Sequence, residues 1–129
     1  MFRGKDARGN RWSHIELGRW GEGVAADYVR AHGGKLLYRN FRGPRGGELD
    51  LVLRDGQQLC FVEVKTRRKR ATGRPMDAVT GEKQELIERG GRAWLRLLRD
   101  RDVMWRFDVV EVELVDGQPP MVTWVKNAF

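Results

Sequence analysis

A single cysteine, Cys60, is all the thiol chemistry that this 129-residue sequence offers. One thiol excludes an internal disulfide and fits a reducing, cytoplasmic setting. Cys60 lies in the apolar run Leu59-Cys60-Phe61-Val62, so it reads as a small buried hydrophobe rather than a nucleophile. No apolar stretch approaches the roughly 20 residues of a membrane helix, and no membrane partner is expected. Residues 1–14 are polar and basic, without the apolar core of a secretory signal. Histidine is scarce too. His14 and His32 lack metal-ligand spacing and take no catalytic role.

What the sequence has in excess is positive charge. The formal net charge is +7 and the isoelectric point is near 10.2, with arginine far outnumbering lysine. That balance points to a polyanionic partner, for which nucleic acid is the usual one. The length suits one domain with one core. A basic tail is expected over 1–14 and a single folded domain over 15–129.

Hydrophobic spacing supplies the element order. Leu17, Trp20, Val24, Tyr28 and Ala31 recur at three and four residues, which predicts a helix from Ile15 to His32 capped by Gly33-Gly34. Lys35 to Phe41 reads as a strand. Glu48 to Leu53 and Leu59 to Lys65 form two more, joined at the turn signal Asp55-Gly56. Arg67 to Pro75 reads as a basic loop. A second helix is expected from the N-cap Thr80 to about Arg99, its apolar face formed by Leu86, Ile87, Ala93, Trp94, Leu97 and Leu98. Gly90-Gly91 inside it costs roughly 1 kcal/mol per glycine relative to alanine, which marks a kink or a close packing contact. Trp105 to Leu114 alternates as a strand, and Met121 to Val125 adds an edge strand. The order α-β-β-β-α-β-β describes an α/β domain, a mixed sheet flanked by helices.

The central hairpin carries the chemistry. Residues of equal parity share a strand face, so Glu48, Asp50 and Val52 point one way, and Phe61, Glu63 and Lys65 share a face on the next strand. A two-residue loop at Asp55-Gly56 pairs Asp50 with Phe61 and leaves Glu63 diagonal. A four-residue loop through Gln58 sets Asp50 opposite Glu63. Either register brings Asp50, Glu63 and Lys65 to one face. Two converging carboxylates repel unless a cation separates them, and oxygen-only ligands suit Mg²⁺ or Mn²⁺. An ion there can bind a phosphodiester oxygen and acidify a water, while Lys65 offsets charge developing on phosphorus. The plainer alternative is that Val62-Glu63-Val64-Lys65 is a half-exposed strand, apolar in and charged out. Asp50 argues against it, because adjacent like charges on one sheet face are destabilising.

A specific resemblance joins these residues. Gly21-Glu22 with Ala25 and Tyr28, then Gly47-Glu48-Leu49-Asp50-Leu51-Val52, Phe61-Val62-Glu63-Val64-Lys65-Thr66-Arg67 and Arg106-Phe107-Asp108-Val109-Val110 together resemble the YraN-type (UPF0102) family of predicted bacterial endonucleases. That is a PD-(D/E)xK group similar to archaeal Holliday-junction resolvases. The resemblance implies a restriction-endonuclease-like fold, with Asp50 and Glu63 as metal ligands and Lys65 catalytic. It also implies a helical glutamate, matched by Glu22, as a direct or water-mediated ligand. Glu48 stays open as a second ligand, a counter-charge for an arginine or a strand-entry residue. Resolvase-like relatives act as dimers, so a homodimer is a further expectation, although the sequence marks no patch for one.

Arg67, Arg68, Lys69, Arg70 and Arg74 leave the active strand just past Lys65 and are expected to grip backbone phosphates. Lys83 and Gln84, at the start of the second helix, are expected at the scissile phosphate, with help from the helix dipole. Asp108 reads as an arginine partner rather than a catalytic acid. Three functions follow: a Mg²⁺- or Mn²⁺-dependent nuclease cutting DNA, with branched or structured DNA among its candidate substrates; a non-catalytic nucleic-acid-binding protein of the same fold; and a basic scaffold whose acids neutralise its arginines.

Overall fold

The computed structural model describes residues 3–5, 7–68, 79–98 and 102–129. Lys69, Arg70 and Arg74 of the expected basic loop lie outside the described residues. Seven elements appear in the predicted order: α1 (His14–Ala31), β1 (Gly34–Arg42), β2 (Glu48–Asp55), β3 (Gln58–Arg68), α2 (Gly81–Leu97), β4 (Met104–Leu114) and β5 (Met121–Val125). The strands form one mixed sheet in chain order, β1-β2-β3-β4-β5. Only β3 and β4 run parallel, pairing from Gln58↔Met104 to Arg68↔Leu114, and the α2 segment lies between them in the chain. No helix among the described residues is long and apolar enough to cross a membrane.

Each helix covers its own hydrophobic layer. Ala25, Ala26 and Val29 of α1 pack with Leu51, Leu53, Cys60, Val62, Val110 and Val112. Ile87 of α2 packs with Leu49, Val52, Leu59, Phe61 and Phe107. With both faces covered, β3 reads as a nearly continuous apolar run, Leu59 to Val62 all being buried. Leu97, expected on the apolar face of α2, is instead 70% exposed. The β1–β2 turn covers Ala93, against which Gly43 packs, and the helix has passed that turn by Leu97.

Local signals set the helix ends. Ser13 caps α1 in a capping box with Glu16, each side chain bonding the other residue's backbone N–H. Thr80 caps α2 as expected, accepting from Lys83 N at 3.2 Å. Gly33 takes the left-handed conformation after α1 (φ 93°), and Gly34 already belongs to β1. Within the segment expected as a tail, Lys5 bridges Arg11 and Trp12 packs against the α1 cluster.

Gly90-Gly91 proves to be a close packing contact. A Cβ on Gly47, in the β1–β2 turn, would sit 2.3 Å from Gly90 N, and one on Gly90 would sit 2.8 Å from Leu49 Cγ. One on Gly91 would press on the Phe61 ring at 3.1 Å. Backbone therefore meets backbone where α2 crosses the start of β2. On the other face, a Cβ on Gly21 of α1 would fall 1.8 Å from Thr66 Oγ1 of β3. Both helices are held at distances that only glycine permits.

Far from these contacts, a buried polar cluster ties the sheet together. Asp108 is fully buried and accepts from Arg106, Trp124 Nε1 and Asn127 N, while Arg106 also reaches Asp55 and Gln58. Asp108 is thus an arginine partner, as its sequence context suggests.

Gly47→Ala should lower stability by about 1–3 kcal/mol, since the methyl group has no space without moving α2. Gly18→Ala, on α1 with nothing within 4 Å of its added Cβ, should be neutral or stabilising by up to about 1 kcal/mol. Urea denaturation of both variants measures the contrast.

Candidate functional site

The β2–β3 hairpin turns at Gly56-Gln57, with Asp55 opposite Gln58 and Arg54 opposite Leu59. This is the register that a four-residue loop through Gln58 implies, achieved by a tighter turn. Regular pairing ends at Leu51↔Val62. Beyond that point the strands part, and the Asp50 carboxylate fills the gap by accepting the Val64 N–H at 2.8 Å. The side chain replaces the ladder acceptor that a regular strand would have supplied.

Strict alternation also fails at this point. Leu49 and Leu51 lie two residues apart, yet they pack in opposite layers. Across the sheet, between the pairs Arg39↔Leu51 and Phe41↔Leu49, Asn40 adopts a left-handed conformation (φ 54°). Asparagine tolerates that conformation better than most residues. The break turns Asp50 away from either hydrophobic layer.

Glu63 meets Asp50 in this gap. It is buried (7% exposed) and lies against Asp50, whose charge acts on it. Burial, then the Asp50 charge, pushes its pKa up to about 8. Glu22, on α1 one residue after the Gly21–Thr66 contact, approaches from the other helix. Burial first, and Asp50 second, raise its pKa, with Asn40 and the cationic Arg39 and Arg19 opposing the rise. Glu22, Asp50 and Glu63 line one open groove of about 1060 Å³, with Trp12, Arg67 and Arg68 along its walls.

Lys83 of α2 brings positive charge to the pair. Its ammonium lies 3.6 Å from Glu63 and donates to Glu48. Glu48 also pairs with Arg42 at 2.9 Å, and the Lys83 hydrogen bond is the main cause of its lowered pKa. Burial alone would lower the Lys83 pKa, but Glu48 and Glu63 outweigh it and raise it. Glu48 therefore serves as a counter-charge in this structure.

Not every expected residue converges. Lys65 follows Glu63 on the same strand, half-buried, and makes no hydrogen bond or ion pair among the described residues. Gln84 points back along its helix, donating to Val79 O at 3.0 Å. Arg67 and Arg68, expected in a loop, belong to β3, because the parallel ladder with β4 continues through Arg68↔Leu114. Arg67 Nε donates to Glu111 at 2.9 Å, and Arg68 donates to Gly4 O at 2.6 Å.

The donors fit a hard cation in kind, being two touching carboxylates beside an open groove. In number the set is small: among the described residues no group of three or more His, Cys, Asp or Glu side chains is arranged around a common ion position. Glu48 is committed to Lys83 and Arg42, and Glu22 to Asn40. Asp50 and Glu63 alone can hold Mg²⁺ or Mn²⁺ if water completes the shell, which is how Mg²⁺ usually binds.

The raised pKa of Glu63 has a definite pH signature. Its ordinary value is 4.5 and its folded value about 8. Folding thus favours the protonated carboxyl. This stability is fully present below about pH 4.5 and lost as pH rises through about 8. In a chelator, Glu63→Gln should match the parent in Tm near about pH 5 and exceed it by several degrees above about pH 8. A Tm difference that stays constant with pH would mean that Glu63 ionises freely in the fold.

Comparison with known proteins shows the family. Residues 21–112, which run from Gly21 of α1 to Val112 within β4, match the model of the uncharacterised protein family UPF0102. A UPF0102 protein of Trichlorobacter lovleyi is 47% identical over 114 residues, spanning 88% of this chain and 89% of the relative. One from Geobacter metallireducens is 45% identical over 88% of this chain and 91% of its own. A more distant relative, from Caldicellulosiruptor saccharolyticus, is 38% identical over 88% and 97%. Matches of this identity across most of both chains make the chain a member of the family UPF0102.

Proposed function

We propose that the protein is a Mg²⁺- or Mn²⁺-dependent nuclease hydrolysing DNA phosphodiester bonds, on branched or otherwise structured DNA. The carrying observation is the placing of a buried glutamate, Glu63, against the half-buried Asp50 on the wall of an open groove. Two acids so placed persist only with a proton or a cation between them. Asp50 and Glu63 would hold the ion, which supplies Lewis-acid chemistry at a phosphodiester.

The chain's own residues divide the remaining tasks. The Val64 N–H fixes one Asp50 oxygen and so orients the carboxylate toward Glu63. Lys83, anchored by Glu48, offsets part of the burial and of the Asp50 charge that favour protonated Glu63. Lys65, with no described partner, is free to meet an incoming phosphoryl oxygen and offset its developing charge. Glu22 can bind the shell through a water. Arg67 and Arg68 would present positive charge along the groove beside the scissile bond, and Lys69, Arg70 and Arg74 continue that basic run in sequence.

One observation favours a second reading, a nucleic-acid-binding protein that keeps the fold without turnover: the small ligand set described above. The two readings separate in a chelator. A pure binder holds DNA equally well with and without metal and never cuts it.

Calorimetric titration with Mn²⁺ should show binding that Asp50→Ala and Glu63→Ala both abolish. On a panel of flaps, junctions and single strands, Lys65→Ala should keep metal and DNA affinity but cleave about 100-fold more slowly. Cleavage by Lys65→Ala at the parent rate would remove Lys65 from the chemistry.

A further inference from the structure

A second basic concavity lies outside the acidic site. It is a cleft of about 300 Å³ between the β1–β2 turn and α2, lined by Gly43, Pro44, Arg45, Gly47, Ala93 and the arginines 89, 92 and 96. Arg89, Arg92 and Arg96 follow one another at three and four residues, so they share one helical face. Arg45 faces them from the turn. Of the four, only Arg89 has an acidic neighbour among the described residues, Glu85 at 3.8 Å. Four guanidinium groups in one recess, three of them without an acidic partner, repel one another until an anion enters.

Two features of the fold give this cleft its purpose. Its walls are rigid, because Gly47 is seated on the Gly90 backbone and Gly43 on Ala93. It also shares the acidic site's end of the sheet. The turn leads directly into Glu48, which pairs with Lys83, which in turn reaches Glu63. Among the described residues, the lining contains no aromatic side chain. Proteins that hold single strands usually supply aromatic platforms for base stacking. A lining whose polar side chains are all guanidinium groups suits phosphate contact rather than base readout. Arg89 to Arg96 spans about 10 Å at 1.5 Å per residue. Three long arginine side chains over that span can reach successive phosphates of one duplex strand.

We infer that the cleft between the β1–β2 turn and α2 binds the sugar-phosphate backbone of a nucleic-acid duplex, holding a paired arm of the substrate beside the acidic site. This rests on the nucleic-acid reading of the function but not on turnover. It gives Arg45, Arg89, Arg92 and Arg96 a role in positioning.

The test is fluorescence anisotropy in EDTA, with a labelled duplex of about 24 base pairs and a single strand of equal length, across a salt series. The probe protein carries Arg89→Gln, Arg92→Gln and Arg96→Gln, changes that preserve helix propensity. A control carries Arg30→Gln, Lys35→Gln and Arg54→Gln, which removes the same charge from exposed positions elsewhere. For the duplex, the slope of log K against log salt should become shallower by about 2–3 in the cleft variant, at about 0.9 per phosphate contact. The control, and the cleft variant on single strand, should change by less than about 1. An unchanged duplex slope, an equal change in the control, or an equal loss on single strand each overturns the inference. Because metal is absent, a protein that never cleaves can still pass this test. One that cleaves with an unchanged slope sinks the cleft alone.

Discussion

The hydrogen bond from Val64 N–H to the Asp50 carboxylate is the constraint on which the site depends. It puts a side chain where a backbone carbonyl would otherwise stand, so β2 and β3 separate without leaving that N–H unsatisfied. The separation makes room for Glu63 to turn inward, and the same bond aims Asp50 at it. A local exchange of one acceptor for another thereby creates a concave, acidic point in an otherwise apolar sheet.

Around that point the helices act as a clamp with a fixed setting. The approach of α1 at Gly21 brings Glu22 toward Asp50, and the approach of α2 at Gly90 brings Lys83 to Glu63 and Glu48. Charge within the clamp is uneven. Lys83 answers part of the acidity, but burial and Asp50 still dominate Glu63. The fold therefore holds a deficit of positive charge at its most crowded place, while arginines gather in the neighbouring cleft. A polyanion with an associated cation would relieve both imbalances at once.

Much of this was legible from residue order. The seven elements follow from hydrophobic period, and parity alone placed Asp50 and Glu63 on a common side. Gly90-Gly91 announced a close contact because glycine inside a helix otherwise only costs stability. Other features resisted for physical reasons. Arg67 and Arg68 read as loop because they are charged, yet they extend β3 because β4 offers a parallel partner over eleven residue pairs. The contact of Lys83 with Glu63 depends on how far α2 travels around the sheet, which period cannot measure. The break in alternation at Asp50 is set from the neighbouring strand by Asn40, a residue with no local signal of that role. The arginine cleft escaped because its two walls are more than forty residues apart in the chain.

The shape of β1 bears on how the molecule behaves at high concentration. A regular edge strand invites another sheet to dock along it, the usual beginning of aggregation. Here the margin is interrupted twice, by the shift between Leu36 and Tyr38 and by left-handed Asn40, and the opposite margin, β5, is only five residues long. The irregularity that steers Asp50 toward its partner thus also denies neighbouring molecules a straight template, joining solubility to site geometry in one short segment.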